Sequence, residues 1–481
     1  GFGLRPSDEA RLVGSVFHGA GPRPSTRNVK SRTVMACTCA SGIMPNDPVQ
    51  QIDHDDQMKN RSYLAAFRAI PSALLISLIL WSGTVQAQIT TRQVTPQTLQ
   101  HELSVAEPGT TLLLAPGRYG DLTMRGGGGG PEMPLTLKSL EPTDPAVINA
   151  IYLRDVQYIT LDGIVFDYTY ELGDAPSHRP FQIIGGIDMT IRNSLFDGDE
   201  VRGLSPADNG FGTAFGFGVR DTRGLIFEDN EIRGFYRGLV ISQSQDIVIR
   251  RNNLHEMRMD GMNFAEVQTL AIENNYIHDF KRSLDSGDHA DMIQFWTGST
   301  NSPSRDITIS GNVLNSGEGW YTQSIFIRNE LVDTGRAGKE MFYQNINIEH
   351  NVILNAHAHG ITVGETDGLK INNNTLVRNA LSEGSQPNPN LWTPQIRVSA
   401  EAQNVEIQRN VTSIIVGVEG QADWDVRDNF IVQDRTRLEP GFYGIVFGVQ
   451  SLVDSQRIES FLPFPGGPLD GTNIGAALLQ N

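Results

Sequence analysis

The stretch GDHADMIQFW, residues 287–296, combines two acids, a histidine and an amide with residues typical of a buried strand. Histidine and aspartate are side chains that move protons near neutral pH when a reaction requires a base or an acid. The same residue types also occur in polar turns that lead into core strands. The sequence therefore leaves two interpretations, a catalytic segment or a turn, and the neighbours of this stretch in the fold decide between them.

A repeat of the form Ile-x-Ile-x-x-Asn-x-Ile is the strongest signal in the chain. Copies begin at positions 225, 247 and 270, which are 22 and 23 residues apart, whereas the later intervals 270–307 and 307–346 are longer and indicate inserts in a constant coil. Strands this short cannot bury a face alone and must stack on neighbouring repeats. The period predicts an all-β fold, a single-domain right-handed parallel β-helix with three short strands per turn.

One asparagine recurs in each turn of the repeat. An amide at such a position can occupy a left-handed bend and form hydrogen bonds with the amide of the next turn. We therefore interpret these residues as structural. They are Asn230, Asn252, Asn275, Asn312, Asn351, Asn374, Asn410 and Asn429.

The repeat also sets the predicted domain organisation. Residues 58–87 have a basic start, an apolar run too short to span a membrane and an Ala-x-Ala-like end, which indicate a signal peptide. Residues 1–57 precede it and are interpreted as a non-native or disordered extension. The β-helix is expected over 88–435, with a short amphipathic capping helix at 95–103, and a C-terminal capping segment over 436–481.

Composition limits the classes of partner. The formal net charge is −17, and the acidic excess persists beyond residue 87, which argues against nucleic acid or an anionic membrane as the main partner. Both cysteines, Cys37 and Cys39, precede the predicted cleavage point, so no disulfide is expected in the mature protein. We expect a secreted or periplasmic monomer that leaves the membrane after signal cleavage.

GDHADMIQFW occupies the strand position that follows each repeat asparagine by eight or nine residues. Coils of a β-helix lie about 4.8 Å apart, so equivalent residues form columns on an outer face. One predicted column contains Arg237, Asp260, Asp291, Gln323 and His359, and a second contains Arg258, His289, Tyr321 and His357. Outward positions within the strand are Asn263, Gln294, Thr362 and Arg397, with Trp296 and Arg328 just beyond it. This concentration of His, Tyr, Asp and Arg on one face favours a functional site.

The repeat, the capped start and the export signal together resemble the pectate-lyase-like β-helix superfamily over about residues 90–435. Its members mostly cleave or epimerise acidic polysaccharides, and alginate lyases and mannuronan epimerases are the most similar in chemistry. The resemblance implies a polysaccharide substrate that contains uronic acid, with abstraction of the proton next to the carboxylate. A lyase then expels the glycosidic oxygen, whereas an epimerase reprotonates the carbon from the other side.

That chemistry requires a base, an acid and a group that neutralises the carboxylate. The resemblance implies His289 or His357 as the base and Tyr321 as the acid, with Arg328 or Arg397 and an amide on the carboxylate. The predicted catalytic residues are His289, Asp291, Tyr321, Arg328 and His357. The expected substrate-binding residues are Asp260, Asn263, Gln294, Trp296, Gln323, His359 and Arg397.

Two other functions and one metal remain open. The segment 357–361, His-Ala-His-Gly-Ile, is similar to the Gly-His-Gly-Ile of polygalacturonases, in which case Asp260 and Asp291 would be the carboxylate pair of an inverting hydrolase. A non-catalytic, glycan-binding surface solenoid is the other alternative. The spacing of Asp285, Asp288 and Asp291 is compatible with oxygen ligands for Ca²⁺. No other cofactor is expected.

Overall fold

The computed structural model of the protein describes residues 90–383 and 389–480. The predicted extension (1–57) and signal peptide (58–87) lie outside these residues. The described chain winds into coils of short strands, and equivalent strands of successive coils pair in parallel to form three columns. The predicted fold class, a parallel β-helix, is confirmed.

The three columns are numbered by their order within a coil. The first column contains Asp121–Arg125, Ala150–Arg154, Phe181–Ile184, Phe215–Arg220, the first halves of Arg237–Arg250 and Met262–Glu273, Ala290–Phe295, Thr322–Ile327, His359–Val363, Gln395–Val398 and Ile415–Val416. The second contains Thr90–Val94, Thr110–Leu114, Leu135–Ser139, Ile159–Asp162, Ile187–Arg192, Arg223–Glu228, the second halves of the two long strands, Arg305–Ser310, Tyr343–Glu349, Thr366–Asn372, Gln403–Gln408 and Asp425–Arg427. The third contains Gly117–Arg118, Ala146–Ile148, Val165–Asp167, Leu195–Asp197, Glu231–Arg233, Asn253–His255, Tyr276–His278, Val313–Asn315, Val352–Asn355, Thr375–Arg378, Val411–Thr412 and Phe430–Ile431.

Helices are short. The α-helices are Leu99–Ser104, Glu330–Asp333 and Tyr443–Val446, and the 3-10 helices are Lys339–Met341, Pro389–Trp392, Ile458–Phe461 and Ala477–Leu479. Among the described residues, no helix has the length and apolar character needed to span a membrane.

The core fills the inside of the coils. Strand residues alternate in direction, so every second side chain points inward. Inward residues of the repeat lie directly over one another, as Leu225, Ile247, Leu270 and Ile307 do in the second column, which confirms the repeat alignment. Aromatic rings continue this stacking, for example Phe264 on Phe295 at 4.8 Å between centroids. The apolar stack holds the first column rigidly, which matters because the candidate site lies on its outer face.

The predicted asparagine ladder is confirmed at the bend after the second column. The backbone N–H of Asn275 donates to Oδ1 of Asn312 at 2.9 Å, and the N–H of Asn312 donates to Oδ1 of Asn351 at 3.0 Å. The left-handed residue of the bend is the one before each of these asparagines, such as Asn274 with φ 54°, so the predicted left-handed position was off by one. The ladder asparagines from Asn230 to Asn410 are fully or almost fully buried, whereas Asn429 at the end of the ladder is partly exposed. They satisfy backbone groups that the bend leaves without strand partners.

Both ends of the described chain pack on the solenoid. The helix Leu99–Ser104 places Leu99 in the core, in agreement with the predicted capping helix at 95–103. Near the C-terminus, Tyr443 and Phe461 form an apolar cluster with Val352 and Val377 of the third column. The segment predicted as a C-terminal cap therefore covers the outer flank of the third column.

Replacement of Asn312 by alanine tests the ladder. The variant removes the acceptor of the Asn275 N–H and the donor to the carbonyl of Ile272. Each buried polar group left unpaired costs about 1–3 kcal/mol, so we expect the free energy of unfolding in urea to fall by about 2–5 kcal/mol. The control, Asn301→Ala at an exposed loop position, is expected to change it by less than about 0.5 kcal/mol. Equal effects of the two substitutions would contradict a structural role for the ladder.

Candidate functional site

The first predicted column of polar residues is confirmed by the strand register. Asp291 pairs with Gln323 on the next coil. Asp260 and Asp291 each lie two residues before the paired residues Met262 and Ile293, so they also occupy equivalent positions. Residues 31 positions apart in the sequence are therefore neighbours on one face.

The second predicted column begins where these strands begin. His289 and Tyr321 directly precede the paired residues Ala290 and Thr322, which places them on adjacent coils. The outward positions of the strand are also in register, because Asn263 pairs with Gln294, Gln294 with Phe326, Phe326 with Thr362, and Thr362 with Arg397.

A buried carboxylate cluster lies at the centre of this face. Asp260 and Asp291 are both 0 % exposed. Asn263 Nδ2 donates to Asp260 Oδ2 at 2.8 Å and to Gln294 Oε1 at 2.6 Å, and Gln294 Nε2 donates to Asp291 Oδ2 at 2.7 Å. The two amides, predicted to bind substrate, thus connect the two carboxylates.

The cluster favours one shared proton. Burial, together with the nearby charge of Asp291, raises the pKa of Asp260, although Arg237 and His289 oppose the rise. Arg237 Nε lies 2.9 Å from Asp260 Oδ2, but its N–H does not point at that oxygen, so the contact is an ion pair without a hydrogen bond. Two carboxylates this close do not both ionise readily in a buried site. Asp260 is therefore the member that holds a proton more readily.

His289 is the accessible member of the cluster. Its side chain is 45 % exposed, and its Nδ1 lies 3.0 Å from Asp291 Oδ2. This hydrogen bond to Asp291 raises the pKa of His289, and burial partly offsets the rise. An ionised carboxylate only accepts hydrogen bonds, so the neutral imidazole carries its proton on Nδ1 and presents an unprotonated Nε2. His289 is thereby prepared to act as a base.

His357 and His359 differ from His289 in charge and in tautomer. Burial, with Arg282 and Arg397 nearby, lowers the pKa of His357 to about 4. Burial likewise lowers the pKa of His359, with His357 and Arg397 contributing. The backbone N–H of His359 donates to His357 Nδ1 at 3.1 Å, so the proton of neutral His357 is on Nε2. His357 is therefore a hydrogen-bond donor, and of the two predicted bases the geometry favours His289.

Tyr321 contacts Arg282 and Trp392. Its backbone is left-handed, with φ 57°, a conformation that bulky residues rarely adopt. The guanidinium carbon of Arg282 lies 5.3 Å from the centroid of the Tyr321 ring, and the ring of Trp392 lies 5.6 Å away on centroids. These contacts fix the phenol beside the cationic group.

Arg282 and Arg397 are half-buried cations that carry no ion pair. Among the described residues, neither has a carboxylate oxygen within 4.0 Å, and the Nε of each is buried without an acceptor. The guanidinium group of Arg397 donates to Gln395 Oε1 at 2.9 Å. Burial lowers the pKa of both guanidinium groups, which nevertheless stay charged. Both guanidinium groups lower the pKa of His357, so the two cations lie on the same side of the site.

Arg328 was predicted to hold a carboxylate but is already paired. It is 44 % exposed, and its Nε lies 2.8 Å from Asp333 Oδ2. Arg282 fits that role better, and it is not among the site residues predicted from the sequence. It belongs to the insert before residue 290, which has no repeat position to align, and an unpaired state cannot be recognised from sequence.

The three carboxylates predicted to bind Ca²⁺ do not form one ligand group. Asp285 is exposed. Asp288 accepts from Arg258 Nε at 3.0 Å and from the Tyr236 hydroxyl at 2.8 Å, whereas Asp291 belongs to the buried cluster. The ion pair with Arg258, together with hydrogen bonds, lowers the pKa of Asp288 despite its burial. Arg258 and Tyr236 thus hold Asp288 within the insert, and a Ca²⁺ site at these three carboxylates stays a prediction.

Only one set of three or more acids and histidines in the described part of the chain has ligand atoms that all lie within 4.8 Å of one another, namely Asp260, His289 and Asp291. The two carboxyl groups of the set are already balanced by their shared proton, by Arg237 and, when it is protonated, by His289. The set is therefore balanced by protons and an arginine. Gln323 and Trp296, also predicted to bind substrate, flank it, and each has a buried polar atom without a partner in the described structure.

The Asp291→Asn variant tests the histidine–aspartate pair. Loss of the carboxylate removes the main cause of the raised pKa, so the pKa of His289 should fall in this variant. An NMR titration of the imidazole, assigned with His289→Ala, measures it. Asp285→Asn, an exposed acid in the same insert, should leave the value unchanged. An unaltered His289 pKa in Asp291→Asn would contradict the pairing.

Comparisons with known proteins agree with this architecture. A family model described as a right-handed beta helix region matches residues 146–314. One similar solved structure is pectate lyase Pel9A, which is 12 % identical over 71 % of this chain and 80 % of that chain, with a TM-score of 0.37. Another is the periplasmic alginate epimerase AlgG, which is 12 % identical over 72 % of this chain and 84 % of that chain, with a TM-score of 0.34. A third is the Dettilon tailspike protein, which is 12 % identical over 73 % of this chain and 68 % of that chain, with a TM-score of 0.42. No curated protein sequence matches the chain. The resemblance predicted from the sequence is confirmed at the level of the fold, and the chain is a right-handed parallel β-helix protein.

Proposed function

We propose that this protein is a polysaccharide lyase or epimerase that abstracts the proton next to the carboxylate of a uronate residue. The observation that carries the proposal is the combination on one face of a half-exposed His289, held by Asp291, with two half-buried arginines that have no carboxylate oxygen within 4.0 Å among the described residues. A base beside an unfilled anion site is what this reaction requires.

The arginines supply the electrostatic part of the reaction. Removal of the proton at C5 of a uronate places negative charge on the adjacent carboxylate. Arg282 and Arg397 would neutralise that charge, and their partial burial strengthens the interaction relative to water. In a chain of net charge −17, two cations that have no carboxylate partner among the described residues are suited to bind an anionic sugar.

Proton transfer is divided between the two sides of this pocket. His289 Nε2 takes the C5 proton, and Asp291 stabilises the imidazolium that forms. The Tyr321 hydroxyl and His357 Nε2 are the nearby hydrogen-bond donors. In a lyase one of them protonates the leaving glycosidic oxygen as the C4–O bond breaks. In an epimerase it returns a proton to C5 from the face opposite His289.

The hydrolase alternative is less compatible with the geometry. An inverting glycosidase separates its two carboxyl groups by about 6.5–9.5 Å to admit a water molecule. Here the nearest ligand atoms of Asp260 and Asp291 lie within 4.8 Å, and both side chains are 0 % exposed. Neither can reach a sugar, so their role is to hold His289 and the amides.

Incubation with alginate, pectate and glycosaminoglycans tests the proposal. Ultraviolet absorbance from unsaturated uronates indicates elimination, and uptake of solvent deuterium without chain cleavage indicates epimerisation. We expect one of the two, with the rate increasing as pH rises through the raised pKa of His289, because the base must be neutral. His289→Ala should lower the rate by about 10²–10⁴-fold, and Arg282→Gln by about 10²–10³-fold.

The matched controls are His101→Ala, on the capping helix, and Arg305→Gln, on the exposed side of the second column. Both should retain the parental rate. New reducing ends without ultraviolet absorbance would indicate hydrolysis and contradict the proposal. Binding without any turnover would favour a glycan-binding solenoid.

A further inference from the structure

A cleft of about 290 Å³ lies on the outer face of the first column, on the N-terminal side of the buried cluster. Gly218, Val240 and Asn263, on successive coils, line its floor, and Arg179 and Trp296 contribute to its walls. Nothing in the proposed proton transfer requires this space.

The cleft depends on a glycine. Gly218 occupies an outward position of the column, between Gln182 and Val240 of the adjacent coils. A Cβ at this position would meet no atom closer than 3.7 Å, and the backbone is not left-handed, so the fold itself would accept a side chain. The missing side chain leaves room that a ligand can fill.

The lining combines an apolar floor with unused polar groups. Val240 and the Trp296 ring offer apolar surface, whereas the indole Nε1 of Trp296 is buried without an acceptor among the described residues. At the rim, Arg179 has no carboxylate within 4.0 Å in the described structure, and its guanidinium lies 5.1 Å from the Phe215 ring. Arg220 is paired only with its sequence neighbour Asp221. A flat, hydroxylated and negatively charged ligand matches this lining.

The cleft is continuous with the candidate active site. Asn263 lines it and also donates to Asp260 and Gln294 of the buried cluster. Gly218 and Gln294 are three coils apart along the same outward column. With coils about 4.8 Å apart, that is roughly 14 Å, so a ligand in the cleft and a sugar at His289 would belong to one chain.

We propose that the cleft is a second sugar-binding subsite, which holds a uronate residue of the same polysaccharide whose neighbouring segment reaches His289. The polymer then runs along the solenoid axis, from His289 toward the N-terminal coils, with its carboxylate at Arg179 and a hydroxyl on the Trp296 indole. This assignment rests on the proposed function for its substrate, but it has its own residues and its own readout.

The test measures binding, so that it does not depend on turnover. Calorimetry on His289→Ala uses saturated disaccharides and hexasaccharides of alginate and of pectate. The His289→Ala protein, which is the parent in this test, should bind the hexasaccharide of alginate or of pectate more tightly than the disaccharide of the same polysaccharide. Gly218→Leu fills the cleft and should weaken hexamer binding at least tenfold while dimer binding is unchanged, and Arg179→Ala should weaken the hexamer in a salt-dependent manner.

The control is Thr123→Leu, an exposed outward position three coils before Gly218 in the same column. It should bind as the parent does, and circular dichroism should show that both leucine variants are folded. Hexamer binding that is equal in Gly218→Leu and the parent would overturn the subsite, as would a parent that binds no uronate hexamer. Loss of binding in Gly218→Leu, together with a wild type that turns over no uronan, would support the subsite and contradict only the proposed reaction.

Discussion

Parallel hydrogen bonding between successive coils is the constraint on which the rest of the structure depends. It holds each strand directly over the last, and the buried asparagine ladder repeats the same spacing at the bend. The inward residues of successive coils stack on one another, and the outward residues of the same strands share that register. Outward side chains about 30 positions apart in the sequence therefore become neighbours. Asp260 and Asp291, or His289 and Tyr321, meet for this reason, although no local sequence feature connects them.

The same rigidity explains how two carboxylates are kept in a dry environment. Asp260 and Asp291 are fully buried, and their charge is reduced by a proton and offset by Arg237 and His289. The hydrogen bonds from Asn263 and Gln294 hold the two acids in place. Burial of these carboxylates lowers the stability of the fold because the charged groups lose their hydration. The apolar stack beneath them offsets this loss through the burial of apolar surface. As a result, His289 lies at the surface with its proton on Nδ1 and with Nε2 unprotonated.

Periodic features could be predicted from the sequence and aperiodic ones could not. The inward positions, the ladder and the columns follow from a repeat, and the structure confirms their register. Arg282 and Asp288 lie in an insert without a repeat position, so the sequence could not show that the first is unpaired and the second is held by Arg258. Arg328 was aligned correctly, yet its pairing with Asp333, five residues on, depends on a helical turn that the repeat does not contain. The choice between His289 and His357 rests on one backbone hydrogen bond, which the sequence does not show.

Opposite surroundings give the two halves of the site different tasks. Around His289 the negative charge of Asp291 favours proton uptake, whereas around His357 the positive charges of Arg282 and Arg397 oppose it. A crystal structure of His289→Ala with a bound uronate hexasaccharide tests this division most directly. We expect one sugar carboxylate within hydrogen-bond distance of Arg282 and Arg397, with C5 of that sugar facing the space vacated by the imidazole. A hexasaccharide bound on another face of the solenoid, or one whose carboxylates avoid both arginines, would contradict the account.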